Sequence, residues 1–232
     1  MIKKKKIERY KRVKTNIVEF NRVDDKLLIN VNGITYETIE IGKNAKLIKS
    51  FENDDEIHLF SIDNERILRI EIYFPENARA GIRVDVDRIS KHIGNIRQAS
   101  CLDDTLAITD EEHFELIKKS GSYTIGRCVG SKDIIFISKN ILIIIANDGI
   151  HLIDLEKGKH EGISKEKLME FNIKINDVIG CDVYIGEHEG NNVAILELKN
   201  KDITIAINIG GDKEFWFYVL ENKRGAFNKF KD

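Results

Sequence analysis

The chain has 232 residues, of which 42% are hydrophobic and 33% charged. That balance excludes a disordered chain, and the length suits one large domain or two small ones with no disulfide or metal staple. The apolar run ILIIIA at 141–146 is far short of the ~18–20 residues a bilayer-spanning helix needs. Cys101, Cys128 and Cys181 are an odd, scattered set, which fits reduced thiols better than a disulfide framework. No apolar run of signal length follows the basic start, so a cytoplasmic protein without a transmembrane segment is expected.

The net charge of −2 conceals an asymmetry: residues 1–15 carry eight basic groups and one acid, and the remainder carries 29 against 38. Lys3, Lys4, Lys5, Lys6, Arg9, Lys11, Arg12 and Lys14 form a basic N-terminal arm on an acidic body. Such an arm can reach an anionic partner, nucleic acid included, or lie on its own body as a solubilising end.

Period-two alternation then dominates. KLLINVNGITYETIEI pivots on Asn32-Gly33, SIDNERILRIEIYF near Asp63-Asn64, and ILIIIANDGIHLIDL on Asn147-Asp148-Gly149. Alternating segments bounded by such turns read as hairpins. Pro75 sits at a strand end, where a missing donor is tolerated. Shorter breaks at 138–140 and 199–202 continue the pattern, and DITIAINIGGDKEFWFYVLEN closes it.

Three segments carry helical signals. DRISKHIGNI (87–96) places Ile89, Ile93 and Ile96 on one helical face. ITDEEHFELIKKSG (108–121) opens with a Thr109-x-x-Glu112 capping box and stops at Gly121. ISKEKLMEF (163–171) has Ser164 as N-cap, with Ile163 and Leu168 as a hydrophobic staple. The expected fold is mainly β (α+β): antiparallel meanders forming two sheets or a sandwich- or barrel-like pair of lobes, with two or three short helices. A β-lobe with an α-rich connector spans 16–120 and a second β-lobe spans 121–232, a single domain being the alternative. No fixed period marks a solenoid or propeller.

Chemistry-bearing residues are few. The phrase GKHEG (158–162) returns as GEHEG (186–190), so His160, Glu161, His188 and Glu189 could together hold a divalent transition metal, in a metal-binding protein or a metal-dependent hydrolase, with Cys181 or Asp182 nearby. The competing reading is two polar turns with glycine at each end. Asp85 with Asp87, and Asp103 with Asp104, could bind magnesium, or could serve turns and a cap. Cys128 beside Arg127 is a weak nucleophile candidate, and a buried small hydrophobe is the plainer account. GRCVGSK lacks the P-loop spacing.

EFWFYVL (214–220) is apolar on both faces, so Trp216 and Tyr218 belong to a core or to a partner-binding patch. With no cofactor-binding motif and no catalytic set, the reading leans away from an enzyme. It favours a cytosolic protein-interaction module, immunity- or adaptor-like, with a protein as partner.

Overall fold

A computed structural model describes residues 10–13, 16–52, 56–63, 66–75, 81–102, 105–118, 123–188, 191–198, 203–209 and 216–221. The chain divides into two compact units, Met1–His92 and Ile93–Asp232.

In the first unit, β1 (Tyr10–Val13), β2 (Asn16–Val23), β3 (Lys26–Val31) and β4 (Ile34–Glu40) form one antiparallel sheet in chain order. β5 (Lys46–Glu52), β6 (Glu56–Ile62), β7 (Ile67–Tyr73) and β8 (Arg83–Ile89) form a second. The β3–β4 turn puts Asn32 at φ 52° and Gly33 at φ 80°. Both central residues of a tight hairpin turn need this left-handed conformation, which is why Asn-Gly is found there. Val18, Leu27, Ile29 and Ile39 of the first sheet share a core with Ile57, Leu59, Ile70 and Ile72 of the second.

The second unit repeats the plan three times. Its sheets are β9 (Gln98–Leu102) to β12 (Tyr123–Arg127) through β10 (Thr105–Thr109) and β11 (His113–Ile117); then β13 (Asp133–Ser138), β14 (Ile141–Ala146), β15 (Gly149–Asp154) and β16 (Lys159–Ser164). Helix α1 (Lys165–Glu170) and a 3-10 turn (Ile175–Asp177) lead to β17 (Cys181–His188), β18 (Asn191–Leu198), β19 (Ile203–Asn208) and β20 (Phe217–Glu221).

The middle sheet explains the ILIIIA run. Ile141, Ile143 and Ile145 face a core shared with Ala194, Leu196, Ile205 and Ile207 of the third sheet. Leu142, Ile144 and Ala146 face Ala107, Phe114 and Leu116 of the first. A strand between two cores loses the polar member of its alternation.

The mainly β, antiparallel expectation is what the structure contains. The sandwich or barrel is not: the described strands form five separate four-stranded meanders, each built from four consecutive strands. The sheets begin at Tyr10, Lys46, Gln98, Asp133 and Cys181. Those unequal intervals hid the repeat from a search for a fixed period.

Two expected helices are also corrected. Residues 87–96 contain the end of β8, and 108–121 contain the end of β10 and all of β11. The capping signal at 109–112 belongs to a hairpin: Asp110 Oδ1 accepts from the backbone N–H of Glu112 (2.9 Å) and His113 (2.7 Å). Side chain-capped turns and helix N-termini use the same acceptors, so their sequences coincide. The third helix is present, with Ser164 Oγ accepting from the Lys167 N–H at 3.2 Å. Ile163 and Leu168 are buried in the core beside it.

Candidate functional site

The two repeated phrases occupy different settings. In GKHEG, Gly158 lies in the β15–β16 turn at φ 63°, and the rest enters β16. Gly162 is a strand glycine: a Cβ there would stand 2.7 Å from the Ile150 carbonyl oxygen. In GEHEG, Gly186 to His188 end β17. The His188 side chain and all of Glu189 lie outside the described residues.

Glu161 pairs with Lys159 at 2.5 Å. His160 instead meets residues that no motif had singled out. Its Nε2 is 2.9 Å from His151 Nδ1, and His151 Nε2 is 2.9 Å from Asp148 Oδ1. The Phe114 ring stands edge-on to His160 at 5.6 Å. Burial, then the neighbouring His151, push the His160 pKa below the usual histidine value, against an upward pull from Asp148. Among the described residues, no group of three His, Cys, Asp or Glu is arranged to hold a metal ion.

His160 also lines a cleft of about 180 Å³ between the β9–β12 and β13–β16 sheets. Phe114, Leu116, Ile153 and Leu155 give it apolar walls, and Lys118 and Thr124 line it too. Gly126 makes room: a Cβ there would lie 2.2 Å from Phe114 Cζ, so the ring rests directly on the β12 backbone. Asp154 also lines the cleft, but its Oδ1 accepts from the N–H groups of Glu156 and Lys157 at 3.0 Å each.

The aromatic stretch divides by face. Phe217 and Val219 pack against the core between the last two sheets. Tyr218, on the other face, is 49% exposed, and Tyr184 is 50% exposed. The register runs Tyr184, Ile195, Ala206, Tyr218 across the four strands, placing both tyrosines on that face. Trp216 is half-buried, its ring 5.0 Å from that of Tyr218. Ile185 and Ile179, 60% and 64% exposed, lie on the same sheet and its approach.

The first unit holds a buried polar group that the sequence reading missed. His58 Nδ1 is 3.2 Å from Glu71 Oε1, its Nε2 is 3.3 Å from Glu56 Oε2, and Tyr73 donates to Glu71 at 2.7 Å. His58, Arg69 and Glu71 are all buried. Cross-strand register places His58 opposite Glu71. The signal was polar residues at alternate positions, Glu56 and His58 in β6 and Arg69, Glu71 and Tyr73 in β7, of otherwise largely apolar strands.

Asp85 and Asp87 are on β8, opposite Glu71 and Arg69, and Asp85 pairs with Arg83 at 2.6 Å. Asp103 and Asp104 lie outside the described residues. Cys128 is fully buried, and burial, with Asp148 and Asp110 nearby, pushes its thiol up to about 12. It is therefore a packed hydrophobe rather than a thiolate. In GRCVGSK, Ser131 bonds Thr109 and Lys132 Nζ donates to the Ile175 carbonyl at 2.7 Å. Of the basic arm, Lys3, Lys4, Lys5, Lys6, Arg9 and Lys14 lie outside the described residues. Lys11 and Arg12 belong to β1, paired with Val18 and Ile17. Among the described residues, no helix is long and apolar enough to cross a membrane.

No family model matches the chain, and no curated protein matches it in sequence. Solved structures do match in shape. The WD40 domain of SCAP from fission yeast has a TM-score of 0.51 and 11% identity, over 90% of this chain and 61% of that one. Hsv2 from Kluyvelomyces marxianus has a TM-score of 0.47 and 12% identity, over 85% and 60%. The N-terminal domain of Nup159 has a TM-score of 0.46 and 11% identity, over 90% and 59%. In each case this chain spans less than two thirds of the solved chain. The likeness to the WD40 domain is one of fold, and that fold is made of repeated four-stranded antiparallel sheets.

Proposed function

We propose that the protein is a non-enzymatic interaction module, immunity- or adaptor-like, that binds a protein partner. The observation that carries this reading is the outer face of the last sheet, where Tyr184 and Tyr218 stand half-exposed beside Trp216. Tyrosine and tryptophan combine a large apolar area with a polar tip at low entropy cost, which is why they anchor interfaces. The fold supports the same reading, because stacked four-stranded sheets are a rigid frame for presenting surface residues.

Photo-crosslinking tests it. A benzophenone amino acid at Tyr218 or Tyr184 is expected to capture one and the same polypeptide, and the same group at Lys43, exposed in the turn before β5, is not. Capture that does not distinguish the three positions would count against this surface.

A further inference from the structure

We propose that the cleft between the β9–β12 and β13–β16 sheets is an anchor pocket for a short linear peptide. That peptide inserts one aliphatic side chain and sets a carboxylate against Lys118. This inference rests on the interaction-module reading and adds to it a second contact and the chemistry of the partner segment.

Size decides what enters. A cleft of about 180 Å³ is below the roughly 300–1,000 Å³ of pockets that hold cofactors and drug-sized ligands. It is the right order for one side chain. The side chains that face it are Phe114, Leu116, Ile153 and Leu155, and the first three are almost fully buried at its base. Their walls are preformed. Phe114 is held by Gly126 beneath it and by His160 at its edge, and His160 is held in turn by His151. An anchor entering such a site orders little in the protein, which is where interface hot spots concentrate their energy.

Charge decides what flanks the anchor. Lys118 follows Phe114 and Leu116 at two-residue spacing just beyond β11, so it continues their face into the cleft. It has no carboxylate partner among the described residues. The two other charged residues at the cleft are already engaged: Asp154 accepts two backbone N–H groups, and Lys159 pairs with Glu161. Lys118 and Lys159 thus line the cleft against one carboxylate, Asp154, and among the described residues Lys118 is the cation there without an ion-pair partner. An acidic residue next to the anchor matches it, and a basic one is repelled. Both bordering edge strands expose residues at the rim, Thr124 on β12 and His160 on β16, so an extended segment has room to lie between them.

The test uses the full chain and fluorescein-labelled decapeptides. A central Leu, Ile, Met or Ala is flanked by Asp or by Lys in a Gly/Ser background, and binding is read by anisotropy. The Asp-flanked aliphatic peptides are expected to bind. Central Ala and Lys flanks each weaken binding at least tenfold. Thr124→Trp, which fills the cleft from an exposed edge position, abolishes binding, and Lys118→Glu weakens the Asp-flanked peptides at least tenfold. Circular dichroism confirms that each variant is folded. Two results overturn the proposal: no preference for aliphatic, Asp-flanked peptides, or a preference unchanged in Lys118→Glu and in folded Thr124→Trp. If either occurs while Tyr218 still crosslinks a partner, the pocket is wrong and the interaction-module reading stands. If the crosslink is lost as well, both fail.

Discussion

His151 Nδ1 and His160 Nε2 lie 2.9 Å apart, and Asp148 Oδ1 closes the other side of His151 at the same distance. The ionised carboxylate can only accept, so His151 carries its proton on Nε2. With that ring singly protonated, its Nδ1 accepts and His160 is the Nε2–H donor. A proton on His160 would meet a second imidazole at hydrogen-bond distance, in a partly buried setting. His160 is therefore expected to titrate below the ordinary histidine value of 6.5. Because the folded-state value is the lower one, this group favours the fold above pH 6.5 and costs stability as the pH falls through its own pKa. A proton NMR titration of the ring Cε1–H resonances checks it, with Asp148→Asn expected to lower the value further. A His160 midpoint at or above 6.5 contradicts the geometry.

Asp110 titrates in the same sense for a different reason. Burial raises its pKa, but backbone N–H groups of Glu112, Gly94 and His113 together hold it below the usual 3.8. Its contribution is complete above that value and is lost as the pH falls through the depressed one. Asp110→Ala is expected to cost about 2 kcal/mol at pH 7, the order found for hydrogen bonds to a charged group. In urea melts at several pH values, the gap between wild type and variant should narrow below pH 4. A gap that stays constant into acid would assign the loss to something other than the carboxylate.

Ile143 and Ile144 are adjacent, both fully buried, and face opposite cores. Each change to Ala is expected to cost about 2–5 kcal/mol, the usual range for large-to-small core substitutions. An ordinary half-buried strand would show one large and one small effect, because alternate residues face water. Chemical denaturation of the two variants separates these cases, and a cost under 1 kcal/mol for either would mean that its face is not a core.

Much of this architecture was legible in the residues. Asn32-Gly33, Asp63-Asn64 and Asn147-Asp148-Gly149 each mark a real hairpin, because positive φ and side chain-capped turns demand particular residues. ILIIIA announced burial on both faces. What was not legible was the assembly of hairpins into sheets. The WD40 fold has a Trp-Asp signature, and this chain's single tryptophan, Trp216, precedes Phe217. Helix 108–121 was misread because Asp110 caps a hairpin with the same acceptor that would start a helix.

The candidate sites were less legible still. Tyr218 and Trp216 were visible as aromatics, but only the strand register shows that Phe217 turns inward and Tyr218 outward. His160 was flagged with His188 because the words around them match. Its nearest polar partners are His151, nine residues away on the neighbouring strand, and Asp148 beyond it. The cleft depends on Phe114, Gly126 and Leu155, none of which carries a chemical signature, and they are brought together only by the packing of two sheets.

Native mass spectrometry of the untagged chain from its own cells tests the central claim most directly. The account predicts a second polypeptide at fixed stoichiometry, lost when Trp216 and Tyr218 are both changed to Ser in a folded variant. A spectrum showing only the bare chain, or a complex untouched by that double change, would contradict it.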